Sequence, residues 1–263
     1  MSRGRRPLYP DLPRPFVLAH RGLPTLATEN TMPAFRLAKE RGAVGLELDV
    51  HLSADGEVVV FHDYDTSRLA PGLSPAPEIE RTNWKDLARI EVGADAGRPG
   101  GRMPLLAELI DELGETMFWD IEVKNRRAED YGLELALSGV LRGSRHAKGL
   151  LGRCAVSSFN PLSLARFRSI EAEIPTGIIW SHESEVPFML SHGEGRWLGR
   201  ADFLKPRYDL VGAASSWRWR RLEGYEFCTW TVDDPEEARR LSALGAAGLV
   251  SNRADVVAAA LAT

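Results

Sequence analysis

The chain has 263 residues, 44% hydrophobic and 27% charged, with a formal net charge of -4. This length suits a single α/β barrel and supplies enough apolar side chains for a full-sized core. The charge balance lacks the basic excess that nucleic-acid binding needs, and no run of roughly 18 apolar residues is present to cross a bilayer.

Residues 1–15, MSRGRRPLYPDLPRP, form a basic, proline-rich N-terminal extension. No apolar stretch follows its arginines, so it does not read as a secretory signal, and a cytoplasmic setting is expected. Phe16–His20 is predicted as the first strand. A helix over Thr31–Glu40 follows, with Asn30 as its N-cap and Pro33 in its first turn. Gly45–Val50 and Val58–His62 are predicted as the next two strands, separated by a turn at Asp55-Gly56. From Asp63 to Met103, prolines and glycines break the rhythm around one short helical pattern near Trp84–Ile90. This stretch is too long for a barrel loop and is expected to form a lobe over the mouth.

Further strands are predicted at Phe118–Lys124, Cys154–Phe159, Thr176–Trp180, Phe227–Val232 and Gly248–Ser251. Helices are predicted over Leu105–Leu113, Leu133–Leu141, Pro161–Ile170 and Pro235–Leu244. Phe203–Lys205 is one strand candidate too many and is set aside as a short excursion. Apolar strands alternating with helices predict an α/β fold, a single (β/α)8 TIM barrel over residues 16–263. A lobe of about residues 63–103 is inserted after the third strand. Cys154 and Cys228 lack metal-type spacing and read as buried free thiols.

Reactive groups in such barrels lie at the C-terminal ends of the strands. His20 and Arg21 end the first strand, and His62 and Asp63 end the third. Glu47 and Asp49 share one face of the second, opposite Leu46, Leu48 and Val50. Asp120, Glu122 and Lys124 share a face of the strand beginning at Phe118. Carboxylates converging in a barrel mouth repel unless a cation sits among them. Oxygen donors favour Mg2+ or Ca2+, and Glu47, Asp49 and Glu122 are the ligand candidates. His20 and His62 can exchange protons near neutral pH. Arg21 and Lys124 supply positive charge for an anionic substrate. Together these groups suit hydrolysis of a phosphodiester.

The ordered motifs H-R-G at His20–Gly22, E-N-T at Glu29–Thr31, E-L-D at Glu47–Asp49, D-G at Asp55–Gly56 and H-D at His62–Asp63 resemble the glycerophosphodiester phosphodiesterases. The resemblance continues through I-E-V-K at Ile121–Lys124, S-S-F at Ser157–Phe159 and W-T-V at Trp230–Val232, and covers nearly all of the chain after residue 15. It implies a (β/α)8 barrel with a small lobe and one divalent metal on Glu47, Asp49 and Glu122. It implies His20 and His62 as the acid/base pair, without saying which is which, and Arg21 and Lys124 as phosphate contacts. The implied products are glycerol 3-phosphate and an alcohol such as choline, ethanolamine or glycerol. Two positions depart from the pattern. Thr28 stands where proline usually precedes E-N-T, and Ser251-Asn252 stands where the last strand usually ends in T-D, which removes a charge from the mouth.

Plainer readings compete at single positions. Glu47 and Asp49 can form a salt-bridge layer with Arg21 and Lys124, and either histidine alone can be an ordinary strand-end residue. Trp230 is placed at the mouth as a candidate substrate contact, able to hold a cationic alcohol by cation–π attraction, or as packing. Trp180 reads as packing. Trp197, Trp217 and Trp219 interleave with arginines and read as buried tryptophans beside solvated arginines. His51, His146, His182 and His192 read as surface or core residues. The rival functions are a phospholipase-like phosphodiesterase on the same barrel giving a cyclic phosphate, a catalytically silent barrel binding phosphorylated ligands, and a metal-dependent lyase. A small-molecule substrate is expected as the partner, and the oligomeric state is left open.

Overall fold

Leu46, Leu48 and Val50 alternate with Glu47 and Asp49, so a strand here must show one apolar and one polar face. The computed structural model, which describes residues 4–93, 97–182 and 191–262, turns the apolar face outward against helices and the polar face inward. In chain order the strands are β1 (Phe16–His20), β2 (Gly45–Leu52), β3 (Val58–Val60), β4 (Glu91–Val92), β5 (Gly101–Arg102), β6 (Phe118–Val123), β7 (Cys154–Ser158), β8 (Thr176–Trp180), β9 (Phe203–Pro206), β10 (Glu226–Thr229) and β11 (Gly248–Ser251). Strands β1, β2 and β6 to β11 are parallel neighbours, and the β1–β11 and β1–β2 pairings close them into an eight-stranded barrel. The outer layer buries Leu46, Leu48, Trp119 and Ile121 from the strands against Phe35, Leu109, Leu137 and Phe167 from the helices. Cys154 and Cys228 are free and buried, as expected.

Two strand assignments differ from the sequence reading. The segment at Val58 is not a barrel strand: β3 runs antiparallel to the outer end of β2, with Val50 opposite Val60 and Leu52 opposite Val58. The segment set aside, Phe203–Lys205, is the missing barrel strand, parallel to β8 and β10. A short apolar run looks the same in a hairpin as in a barrel wall. The deciding feature is the connection, since the tight turn at Asp55-Gly56 makes a hairpin, whereas a parallel neighbour needs a crossover of about a dozen residues.

The chain from β3 to β5 has a small apolar core of its own, with Val59, Phe61, Ile79, Leu87, Val92 and Met103 packed together. The first helix spans Met32–Glu40 and starts after Thr31, not Asn30. Asn30 has φ of +54°, which takes it out of the extended geometry of an N-cap, and its amide turns to the barrel interior. Gly22 is required by close approach: its φ is +88°, and a Cβ there would lie 2.6 Å from the Ala34 backbone of that helix.

The tryptophan–arginine stretch also differs from expectation. Trp219 is buried against Trp180, whereas Trp197 and Trp217 are exposed. The buried arginine is Arg196, held by Glu223 at 3.0 Å under the Trp197 ring. Among the described residues no helix is long and apolar enough to cross a membrane.

The barrel floor is filled from the N-terminal extension. Leu8 and Tyr9 pack with Phe16, Leu18, Phe203 and Val250. The Tyr9 hydroxyl donates to the Trp119 carbonyl at 2.8 Å, and its ring meets Phe16 and Phe118 edge-on. Tyr9→Ala is therefore expected to lower stability by about 3–5 kcal/mol, and Tyr9→Phe by about 1 kcal/mol. Urea unfolding of the two variants checks this. Equal, small effects would mean that the extension is not part of the core.

Candidate active site

The register of three neighbouring strands builds the mouth in layers. His20 on β1 lies opposite Glu47 on β2, Glu47 opposite Asp120 on β6, and Asp49 opposite Glu122. One step round, Glu122 lies opposite Ser157 on β7. Because side chains alternate, all of these point into the barrel, where Glu47, Asp49 and Asp120 are almost fully shielded from solvent.

Buried carboxylates need compensation. The deepest comes from Lys205 on β9, a residue that was passed over with its strand. Its ammonium lies 2.9 Å from Glu47 Oε1 and 2.9 Å from Asp120 Oδ2, and donates to Ser157 Oγ at 3.1 Å. Ser157 in turn donates to Asp120 Oδ1 at 2.8 Å. Burial would lower the Lys205 pKa, but Asp120 and Glu47 reverse this and hold it above the usual lysine value. The sign that could have found it is a lysine at the C-terminal end of a short apolar run, FLK.

Higher in the mouth, Arg21 Nε lies 3.1 Å from Asp49 Oδ2, and Arg21 Nη1 donates to Glu29 Oε1 at 2.9 Å. The Asn30 amide donates to Asp49 Oδ2 at 2.9 Å. Burial alone would raise the Asp49 pKa. Arg21 above all, then His62 and Lys124, hold its carboxyl far below the ordinary range. Lys124 lies 2.9 Å from Glu122 Oε1 and 3.8 Å from Asp49 Oδ1. Its pKa is raised, since Glu122 and Asp49 outweigh the opposing effect of burial.

The two histidines stand at the rim. His20 Nδ1 lies 2.7 Å from Asn252 Oδ1, and its Nε2 is 3.8 Å from Glu47 Oε2. Burial, reinforced by Arg21, lowers the His20 pKa below its ordinary value. His62 follows β3, and its Nδ1 lies 2.7 Å from Asp63 Oδ1. Arg68 ties this side to the barrel by donating to Asp63 at 2.6 Å and to Glu29 at 2.6 Å. Of the remaining histidines, His51 is buried, its Nε2 3.2 Å from the His62 carbonyl.

Trp230 is partly buried beyond β10. Its indole N–H donates to the Lys205 carbonyl at 3.0 Å, and its ring meets Phe159 edge-on at 5.7 Å. Trp180 is packing, as expected. A cavity of about 760 Å³ opens from Glu122 and Lys124 past Tyr64, Arg126, Phe159 and Leu162. The structure thus gathers His20, Arg21, Glu47, Asp49, Glu122 and Lys124 at one end of the barrel, with His62 brought in by the lobe side and Trp230 on the wall. Sequence reasoning gave no place in the site to Lys205, Arg68 or Asp233, and read Glu29 and Asn30 only as part of the E-N-T motif, with Asn30 as a helix cap.

A cation is suggested by what is left over. Glu47 Oε2 and Asp49 Oδ1 are buried with no hydrogen-bond partner. Hard oxygen donors suit Mg2+ or Ca2+. Among the described residues no three His, Cys, Asp or Glu side chains already stand together as a cage, and the Lys124 ammonium lies between Glu122 and Asp49.

Fold and mouth together define an enzyme of the α/β-barrel hydrolase class. More particularly, the chain belongs to the glycerophosphoryl diester phosphodiesterase family, whose sequence profile matches residues 20–256. It is 26% identical over 239 residues to a glycerophosphodiester phosphodiesterase of Caldanaerobacter subterraneus, covering 90% of this chain and 93% of that one. A phosphodiesterase of Oleispira antarctica, solved with its product sn-glycerol-3-phosphate, superposes with a TM-score of 0.77 at 25% identity, covering 95% of this chain and 97% of that one. A Silicibacter pomeroyi protein shares the fold with a TM-score of 0.80 at 22% identity, covering 94% and 93%.

Lys205→Met tests the electrostatic base of the site. Removing the ammonium leaves Glu47 and Asp120 buried and uncompensated, so a loss of about 3–5 kcal/mol is expected in urea unfolding at neutral pH. A variant as stable as the parent would show that the carboxylates do not depend on this lysine.

Proposed function

We propose that this protein hydrolyses glycerophosphodiesters to glycerol 3-phosphate and an alcohol. In this reading Glu47, Asp49 and Glu122 hold one divalent cation, Mg2+ or Ca2+, and His20 and His62 move the protons. The observation that carries the reading is the pair of buried carboxylate oxygens without a hydrogen-bond partner, Glu47 Oε2 and Asp49 Oδ1, in a mouth flanked by two imidazoles. Each imidazole is tethered through Nδ1, which leaves Nε2 as its working atom. The product bound by the Oleispira relative is the one expected here.

A bound cation would supply charge stabilisation for the phosphoryl oxygens. The chain's own groups do the rest. Lys124 and Arg21 make the mouth attractive to a phosphodiester anion, and Arg21 is held by Glu29 and Asp49 so that its charge stays at the rim. One imidazole accepts the proton of the attacking hydroxyl, and the other donates to the departing alkoxide. Trp230 and Phe159 form a wall on which the alcohol can rest.

The first test strips the protein with chelator and assays release of glycerol 3-phosphate from glycerophosphocholine. Activity is expected to disappear and to return with Mg2+ or Ca2+. No release with either metal, across several glycerophosphodiesters, would overturn the proposal, and a cyclic phosphate product would move it to the phospholipase-like reaction. His62→Ala is expected to lower kcat at least about 100-fold while the protein still retains metal. Glu47→Gln is expected to lose metal and activity together, with metal content read by elemental analysis. Metal kept at the parent's stoichiometry in Glu47→Gln would remove Glu47 from the ligand set.

A further inference from the structure

Asn252, just beyond β11, joins two groups that do not otherwise meet. On one side is Asp233, beyond β10. Asp233 Oδ1 accepts from the Asn252 backbone N–H at 2.7 Å and from Ser251 Oγ at 3.0 Å, and its Oδ2 accepts from Asn252 Nδ2 at 2.8 Å. On the other side, Asn252 Oδ1 lies 2.7 Å from His20 Nδ1.

The donor and acceptor roles in this chain are forced. An ionised carboxylate only accepts, so the amide nitrogen must face Asp233. The amide oxygen is then left facing His20. A flipped amide would set its oxygen against a carboxylate oxygen. An amide oxygen also only accepts, so the proton on the near side of the imidazole must sit on Nδ1. Nε2 then has no proton in the neutral ring and faces the mouth, 3.8 Å from Glu47 Oε2. The other charged groups around the ring are Arg21 and Asp49.

We infer that Asp233 and Asn252 act as positioning residues that fix His20 in the Nδ1–H tautomer and aim its bare Nε2 at the reacting atoms. This rests on the proposed proton-transfer role of His20, although the tautomer itself can be read without any substrate. Neither residue needs to touch the substrate. Asn252 works as a neutral adaptor: it turns the orienting effect of a carboxylate into a hydrogen bond without placing a second charge beside the imidazole.

The chain of donors makes a sharp prediction. In Asp233→Asn, two amide nitrogens would face each other across 2.8 Å. Asn252 is expected to flip, presenting its NH2 to His20 and moving the ring proton to Nε2. Adding Asn252→Asp restores the pattern in exchanged order. The new amide at position 233 can donate to the new carboxylate at position 252, and that carboxylate can accept from His20 Nδ1. The measurement is the 15N spectrum of labelled histidine at pH 8 on the full chain, together with kcat and KM on glycerophosphocholine.

The parent should show Nδ1–H at His20, and Asp233→Asn should show Nε2–H. In Asp233→Asn, kcat should fall by about 100-fold or more with little change in KM. The double variant should recover Nδ1–H and return kcat to within about tenfold of the parent. An Nε2–H tautomer in the parent overturns the inference, and so does an Asp233→Asn variant with unchanged spectrum and rate. If the single variant does not fold, the parent spectrum and the double variant still decide. A parent that shows Nδ1–H but cleaves no glycerophosphodiester would instead remove the proposed function and leave the tautomer lock standing.

Discussion

The structure depends on one buried ammonium. Lys205 reaches across the barrel to within 2.9 Å of both Glu47 and Asp120. Without it, the lower layer of the mouth would hold two carboxylates in a nearly dry interior, an arrangement whose desolvation cost no packing around them could offset. The ammonium engages only one oxygen of Glu47. The other, Oε2, stays buried without a hydrogen-bond partner, 3.8 Å from His20 Nε2. A structural salt bridge and a site with spare negative charge are therefore built from the same carboxylate. The plain alternative, that Glu47 and Asp49 merely pair with nearby cations, accounts for Glu47 Oε1 and Asp49 Oδ2, but it leaves Asp49 Oδ1 with only a 3.8 Å approach of Lys124 and Glu47 Oε2 with no lysine or arginine.

The barrel and most of the mouth were legible because strand alternation is a strict period. Glu47 with Asp49, and Asp120 with Glu122, had to share a face, and the apolar residues between them showed which face met the helices. Helix spans were similarly readable: Pro161–Ile170 forms as expected, started by proline after a capping Asn160. What could not be read was strand direction. Val58–Val60 and Phe203–Pro206 are comparable short apolar runs, and only the length and turn chemistry of the connection separate a hairpin partner from a barrel wall. Choosing the wrong one hid Lys205, since a residue assigned to an excursion is not asked which way its side chain points.

Asn30 shows a second kind of illegibility. Its place before a helix makes an N-cap the ordinary expectation, but its backbone adopts φ of +54° and its amide serves Asp49 instead. Local propensity lost to a buried acceptor that needed a donor. Asn252 is the same lesson at the other end of the chain. Read alone, it looked like a lost charge at the mouth. In the fold, the charge stands one residue contact away on Asp233, and the amide transmits its direction to His20.

The two histidines also differ in what carries them. His20 is part of the barrel wall, held by the ladder between β1 and β2 and by a partner beyond β11. His62 leaves a hairpin strand that is not part of the wall, and its partner Asp63 is its own neighbour in sequence. Its backbone is placed by the β2–β3 ladder, which ends with the Phe61 N–H donating to the Asp49 carbonyl at 3.0 Å, and side chains tie down the segment beyond it. Arg68 binds Asp63 and Glu29 together, Glu29 binds Arg21, and Arg21 binds Asp49. This chain of alternating charges runs from the lobe to the carboxylate layer. Its outer end, Arg68, is about half exposed, while its inner end, Asp49, is fully buried. The lobe is thus fastened to the barrel by the same charges that tune the site. A substitution at Arg68, about half exposed to solvent, acts on the placement of His62 through Asp63 and on the field at Asp49 through Glu29 and Arg21.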